Sequence, residues 1–278
     1  MLTLITATLN AGRFIAEAFA SVPQTPEAIQ HIVVDGGSTD ATLAICREHP
    51  GIDTVVVPGC SIYEAWNIGL DRSRGDWIMF LNADDELGNG AADIVAGAFA
   101  IRPEAEIVAG RALMAARGGP APCLLVAAPT GRLDVRQLAL GVPAINAMAF
   151  RRSLFARCGP FETAYRVTGD REFLLRLALS EKPPVVATVD AVLYRYYVHP
   201  GSLTLQRGLE QRLRIARDHI ALARRLLAQR PGGAAGQVLR YWRRREAAVA
   251  ALRCAAAGRV AAACGFAAEL LRSAMPER

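Results

Sequence analysis

The stretch Asp76-Trp-Ile-Met-Phe-Leu-Asn-Ala-Asp-Asp85 decides how the chain is read. Trp77 to Leu81 is an unbroken apolar run after Gly75, the pattern of a short strand covered on both faces. The run stops on Asn82, Ala83, Asp84 and Asp85, so clustered oxygen-bearing side chains stand at the carboxyl edge of a sheet. Open α/β sheets bind ligands at that edge. Carboxylates crowded together repel one another unless a cation lies between them, and hard cations such as Mg²⁺ take oxygen ligands. The segment therefore reads as a divalent-metal site that holds a diphosphate.

Upstream, strand and helix alternate. Leu2 to Thr8 reads as a strand, Arg13 to Ser21 as a helix, Ile29 to Asp35 as a strand, Asp40 to Glu48 as a helix and Thr54 to Val57 as a strand. A helix over Ile62 to Ser73 leads into the Trp77 strand. This order predicts an α/β fold, a mostly parallel, Rossmann-like sheet with right-handed crossovers and helices on both faces. Three strand-edge clusters then converge: Thr6 to Gly12, Asp35-Gly-Gly-Ser-Thr-Asp40 and the acidic cluster at Asp84. The first is small and hydroxyl-bearing, so a ligand can approach the backbone. In the second the glycines permit positive φ, and Ser38 or Thr39 can cap the next helix. Singly, each cluster also fits a plain turn or a solvated strand end.

The 278 residues are 52% hydrophobic, enough for a sizeable core and for one large domain or one and a half. Six cysteines at irregular spacings, with no C-x-x-C pair, read as reduced core thiols of a cytoplasmic protein. No basic-then-apolar leader opens the chain and no run approaches a spanning helix, so a soluble or peripheral protein is expected. Residues 207–278 carry 15 Arg against five acids, a net +10, which leaves −4 on the remainder of a chain of net +6. The basic character thus belongs to the tail and not to the acidic edge. Lys182 is the only lysine, so the arginine content reflects composition as much as phosphate recognition, and no nucleic-acid partner is expected.

In order, Thr6-Ala-Thr-Leu-Asn10, Gln24-Thr25, His31 to Asp40, Ile62-Tyr-Glu-Ala-Trp-Asn-Ile-Gly69 and Gly75 to Asp85 resemble the pattern of family 2 glycosyltransferases with the GT-A fold. The resemblance covers about the first 205 residues. It implies a nucleotide-sugar donor, a Mg²⁺ or Mn²⁺ ion bound through a D-x-D-type motif, and a single inverting displacement by a hydroxyl of a glycan or lipid-linked acceptor. It further implies that Thr6, Ala7 and Thr8 line the nucleotide pocket, and that Asp35 bonds the base or ribose. Asn82-Ala83-Asp84 stands in place of D-x-D, with Asp84 as metal ligand and Asn82 keeping an oxygen acceptor without the charge. Gly36 replaces an acid that many members use to read uracil, so the base is left open. His199, in Tyr197-Val-His-Pro-Gly-Ser202, matches a segment near the diphosphate and would complete the metal shell or bond the leaving group, unless it is a plain loop histidine.

The middle of the chain supplies the other substrate. After the turn Gly118 to Pro122 come a strand over Cys123 to Ala127 and the segment Val142 to Arg152 with Pro143-Ala-Ile-Asn146. Thr168-Gly-Asp-Arg-Glu-Phe-Leu-Leu-Arg-Leu177 then opens an amphipathic helix with Phe173, Leu174 and Leu177 on one face. Asp170 in its first turn suits a helix cap. The resemblance makes it the general base for the acceptor hydroxyl, with Glu172 as runner-up. A hydroxyl is a poor nucleophile until its proton is being removed, and a positioned base contributes roughly 10²–10⁴-fold. His31, His49 and His219 read as surface residues, Trp66 and Trp77 as core.

The domain reading is 1–206, with a nucleotide-sugar half to about residue 110 and an acceptor half at 111–206, followed by a helical extension at 207–278. Leu209, Leu213, Ala216, Ile220, Ala223 and Leu227 form one helical seam, which Pro231-Gly-Gly233 interrupts. Val238, Trp242, Val249, Leu252 and Ala256 continue it in a second helix, and Val260 to about Arg272 forms a third. The extension packs on the core, touches anionic lipid at the inner face of the membrane, or dimerises. Two other classes share the early pattern. A sugar nucleotidyltransferase would show a Gly-rich loop such as G-x-G-T-R after the first strand, which Thr6 to Gly12 lacks. A catalytically silent nucleotide-binding relative fits the departure at Asn82.

Overall fold

The computed structural model describes residues 1–23, 25, 27–117, 122–199, 208–229 and 232–274. Gln24, Gly118 to Ala121, Pro200 to Arg207 and Pro231, all used in reading the sequence, lie outside the described residues. The described chain divides into two compact units, residues 1–133 with 143–199 and residues 134–142 with 200–278. Residues 134–142 therefore group with the C-terminal helices and not with the sheet around them in sequence.

The first unit begins with β1 (Leu2–Thr8), α1 (Ile15–Ala20), β2 (Ile29–Asp35), α2 (Thr42–Arg47), β3 (Ile52–Val56), α3 (Ile62–Arg72) and β4 (Trp77–Phe80). There follow β5 (Glu86–Leu87), α4 (Ala91–Ile101), β6 (Ile107–Ala116) and β7 (Pro122–Val126). After α5 (Val135–Leu140) in the second unit come a 3-10 turn (Ile145–Ala147), β8 (Met148–Arg151), α6 (Arg152–Cys158), α7 (Gly169–Ala178) and β9 (Val186–Val198). The described strands make one nine-stranded sheet in the order β3-β2-β1-β4-β8-β6-β9-β5, with β7 paired to β6. The four strands β3-β2-β1-β4 are mutually parallel. Beyond them β8 is antiparallel to both β4 and β6, and β9 is parallel to β6, so the sheet is mixed.

Strand β1 is flanked by β2 on one side and β4 on the other. Crossovers leave it in both directions, which opens a crevice outside the carboxyl ends of β1 and β4. Both faces of this region are covered. Leu4, Met79 and Leu81 pack with Val95 and Phe99 of α4 on one face, while Ile32 and Val34 meet Ala65 of α3 on the other. Helix α3 lies so close to β1 that a Cβ at Gly69 would come within 2.4 Å of Ile5. A glycine is required there, and Gly69→Ala would have to push the helix off the sheet.

An aromatic cluster fixes the helices that follow. Trp66 stacks on Phe80 at 4.3 Å, and Phe173 of α7 stacks on Phe155 of α6 at 5.0 Å and contacts Phe161 at 4.7 Å. Trp66 and Trp77 are thus packing residues, Trp77 lying parallel to Phe99 at 4.9 Å. Free Cys46 and Cys254 are buried, whereas Cys264 is exposed and is not a core thiol.

His31 is not a surface residue. It is 5% exposed in β2, shares a 2.9 Å hydrogen bond with Thr6 Oγ1 and meets the Phe19 ring edge-on at 5.4 Å. The parallel register of β1 and β2 brings the two polar groups together inside the core, which an isolated reading of β2 does not reveal. Burial first, and the nearby His49 second, push its pKa down from 6.5 to about 4. The folded chain therefore holds His31 neutral where the unfolded chain binds a proton, and stability falls as pH drops from 6.5 towards 4. The loss reaches roughly 3 kcal/mol at the acid end of that window. Urea unfolding followed from pH 7 to pH 4 should show this slope and should show it flattened in His31→Gln; the same slope in both proteins would contradict it. His49 is half-buried with Nδ1 2.9 Å from the Ile45 carbonyl, and His219 packs on Trp242 with Nδ1 3.3 Å from Glu246, so neither is a free surface residue.

The second unit holds α5, α8 (Leu209–Gln229), α9 (Gly233–Ala256) and α10 (Val260–Ala274). The α8 seam is as expected, with Leu213, Ala216, Ile220, Ala223 and Leu227 buried. On α9 the expected face is displaced. Leu252 and Ala256 are exposed, while Leu239, Trp242, Ala247, Ala250 and Cys254 are buried with Arg243, which pairs with Glu269 of α10 at 2.8 Å. A buried arginine hides this face from a reading based on hydropathy. No described helix is long and apolar enough to cross a membrane.

Candidate active site

Strand register brings the site together. Glu86 of β5 pairs with Arg195 of β9, which sets the 82–85 loop beside the end of β9. Ala116 of β6 pairs with Val198 of β9, so Arg117 and His199 both emerge at that same end. There His199 Nε2 lies 2.8 Å from Asp84 Oδ2, across 115 residues of sequence. The Asp84 carboxylate is 31% exposed and the imidazole 15%, so the pair faces outward without being fully solvated.

The neighbours of Asp84 point inward and are spoken for. Asp85 Oδ2 accepts from Asn82 Nδ2 and from the Tyr194 hydroxyl, both at 2.9 Å, and Asp85 Oδ1 accepts from the Tyr197 amide at 2.7 Å. Burial first, and the charge of Asp84 second, push the Asp85 carboxyl up to about 7. The Asn82 amide N–H donates to the Tyr194 oxygen at 2.9 Å, and Asn82 Oδ1 lies 3.5 Å from Asn146 Nδ2. Asn82 is thus a strut of the loop, and Ala83 is buried. Among the described residues no group of three His, Cys, Asp or Glu is arranged to hold a metal. Asp84 suits a hard ion that takes one carboxylate and completes its shell with phosphate oxygens and water, and the His199 imidazole is a nitrogen donor that Mn²⁺ accepts more readily than Mg²⁺.

The donor-side residues divide. Thr6 is fully buried and bonded to His31, so it does not reach the crevice. Ala7 is half-buried against the Ile32 and Val34 cluster. Thr8 Oγ1, at the carboxyl end of β1, is buried with no hydrogen-bond partner among the described residues. Asp35 is fully buried, and its oxygens accept from the amides of Gly37 (2.8 Å) and Ser38 (2.7 Å) and from the Ser38 hydroxyl (2.5 Å). Ser38 and Thr39 do not cap α2. Ser38 serves Asp35 and Asn10, Thr39 donates to Asn10 Oδ1, and Asp40 bonds the Thr42 amide at 3.0 Å instead. Asn10, at φ 52°, holds the β1 and β2 loops against each other.

Asp170 stands in the first turn of α7, where Thr168 and not Asp170 is the cap position. Its Oδ1 accepts from the Arg171 amide at 2.7 Å and lies 3.2 Å from the hydroxyl of Tyr63 on α3. A Cβ at Gly169 would strike the Tyr63 ring at 2.7 Å, so this glycine lets α7 begin against the tyrosine. Burial, and then the charge of Asp170, hold the Tyr63 hydroxyl well above its ordinary pKa. The Tyr196 hydroxyl, which donates to Asn146 Oδ1, is held well above its ordinary pKa by burial first and then by the charges of Asp85 and Asp170. The runner-up Glu172 is 1% exposed and pairs with Arg176 Nε at 3.1 Å, while Arg176 also binds the carbonyls of Cys158 and Pro160. It is a buried carboxylate engaged in packing α7 on the α6 loop.

Sequence reasoning missed Asn146, which donates to the Phe80 carbonyl at 2.9 Å and accepts from Tyr196 at 3.0 Å, and it missed Tyr194, Tyr196 and Arg117. Their partners are remote in sequence, and only the quoted Pro143-Ala-Ile-Asn146 hinted at one of them.

A parallel β3-β2-β1-β4 half-sheet with an acidic β4 edge, extended into a mixed sheet, is the GT-A fold. Solved structures agree in fold. S. aureus TarS gives a TM-score of 0.63 at 16% identity over 88% of this chain and 43% of that one. Its 1–349 portion in complex with UDP-GlcNAc gives 0.61 at 14% identity over 99% of this chain and 93% of that one. The mannosyltransferase PcManGT from Pyrobaculum calidifontis, in complex with GDP-Man and Mn²⁺, gives 0.57 at 20% identity over 99% and 81%. The model described as Glycosyl transferase family 2 matches residues 3–111. A PGL/p-HBAD biosynthesis glycosyltransferase of Mycobacterium tuberculosis is 31% identical over 217 residues, 73% of this chain and 79% of the relative. The chain belongs to glycosyl transferase family 2.

Proposed function

We propose that this glycosyltransferase moves a sugar from a nucleoside-diphosphate donor to a hydroxyl of a glycan or lipid-linked acceptor, with inversion, and with Mg²⁺ or Mn²⁺ held by Asp84 and His199. The observation that carries the proposal is the 2.8 Å approach of His199 to Asp84 at the carboxyl edge of the sheet. The Mn²⁺ complex of the Pyrobaculum calidifontis mannosyltransferase lends support from a related fold. An ion held there would offset the charge that develops on the departing diphosphate.

The chain's own residues do the rest. Thr8 lines the nucleotide pocket at the carboxyl end of β1. Asp35 shapes the β2 loop from beneath through its three bonds to Gly37 and Ser38 and does not touch the base directly. Asp170, oriented by Tyr63 and the Arg171 amide, takes the acceptor proton as the oxygen attacks the anomeric carbon. Inversion follows from attack on the face opposite the leaving diphosphate. Asn82 and Asn146 hold the Asp84 loop, so binding energy goes into the charge that exists only in the transition state.

Incubating the chain with UDP- and GDP-sugars tests this. Nucleoside diphosphate should be released in a manner abolished by a chelator and restored by Mn²⁺, and the anomeric configuration of any glycoside formed should be opposite to that of the donor. Binding of nucleotide sugars without any turnover would contradict the reading and favour a silent relative.

A further inference from the structure

We propose that Arg117 is a positioning residue of this site: one guanidinium, clamped between two aromatic rings, fixes both the main chain of Asp84 and the strand end that carries His199. The proposal rests on the reading of Asp84 and His199 as metal ligands.

Three segments meet on Arg117. Its guanidinium carbon lies 4.6 Å from the centroid of the Phe14 ring, at the entry to α1, and 4.5 Å from that of Tyr197, near the end of β9. Nη2 donates to the Asp84 carbonyl at 2.7 Å, and Nη1 is paired with Glu17. The same Phe14 ring packs on His199 at 4.7 Å, so one ring touches both the guanidinium and the imidazole. Tyr197 is held in turn, its amide on Asp85 and its hydroxyl on Glu86 at 2.9 Å.

Only arginine suits this slot. A planar cation can stack on aromatic rings while donors project from its edge in a fixed fork. Lysine would carry the charge without the plane or the fork. The side chain is 19% exposed and its Nε is buried without a hydrogen-bond partner, so the rings hold it as much as the polar contacts do. A cation needs Asp84 and His199 at a set separation, and these two arrive on different strands. The clamp sets that separation by gripping the backbone of one and the ring that supports the other.

Manganese binding to the full chain, followed by electron paramagnetic resonance with UDP and separately with GDP, tests the clamp apart from turnover. Partners of this kind typically contribute 10- to 100-fold in metal affinity, so Arg117→Gln and Arg117→Lys should each weaken Mn²⁺ binding by about 10-fold or more while still unfolding cooperatively. Glu17→Gln, at an exposed position of α1, should shift the affinity in the same direction by less. Wild-type affinity in both Arg117 variants, or full rescue by lysine, overturns the proposal. Equal Mn²⁺ binding by the wild-type chain and Asp84→Ala would instead remove the metal reading, and the clamp with it.

Discussion

Asp84→Ala is expected to lower Mn²⁺-dependent release of nucleoside diphosphate by about 100- to 1,000-fold, the range for removing one preorganised group that stabilises developing negative charge. Of the two adjacent acids, Asp84 alone has an outward carboxylate, bonded to His199. Asp85 spends both oxygens on Asn82, Tyr194 and Tyr197 inside the loop. The two substitutions should therefore differ in kind. Asp84→Ala should leave the melting temperature near that of the parent, whereas Asp85→Ala removes the acceptor of three donors and should destabilise the chain, each stranded buried donor costing about 1–3 kcal/mol. Turnover is measured by coupled release of the diphosphate at saturating Mn²⁺. Full activity in Asp84→Ala would show that the charge of the leaving group is met elsewhere.

Asp170→Asn should lower transfer to the acceptor by at least about 100-fold, the lower bound for losing a general base. The amide is nearly isosteric and its oxygen can still accept from Tyr63 and the Arg171 amide, so the helix start should be preserved. Donor affinity, read as the dissociation constant of the nucleotide sugar, should be unchanged, because the proposed role of the residue is toward the acceptor hydroxyl and not the diphosphate. The loss belongs in kcat. Glu172→Gln provides the contrast. It breaks the buried pair with Arg176 and should act on stability, with kcat per folded molecule retained. Undiminished transfer by Asp170→Asn would refute its role as base.

Much of the sheet was legible because β1, β2 and β4 are covered on both faces and so appear as short apolar runs ended by polar clusters. Asp84 was legible for the same reason, as the point where such a run ends. What failed to show in sequence is what depends on pairing across distance. Strand β9 alternates irregularly between buried and half-exposed residues and carries Thr188, Asp190 and Arg195, so no period announces it. Yet its tyrosines and His199 complete the site. His31 was misjudged because its partner Thr6 sits on the neighbouring strand. The buried face of α9 was read in part, Trp242 lying on it and Leu252 and Ala256 off it, because Arg243 also belongs to it with its charge met by Glu269. His199 and Asp170 came from a family resemblance, since neither spacing nor periodicity points to a histidine 115 residues from its carboxylate.

The most direct test is a crystal structure of the chain with Mn²⁺ and a nucleoside diphosphate, read by the anomalous signal of the metal. A peak coordinated by Asp84 and His199 at about 2.1 Å, and in contact with the diphosphate, is the result predicted here. A peak remote from the end of β4, or a diphosphate bound with neither residue near it, would contradict the account.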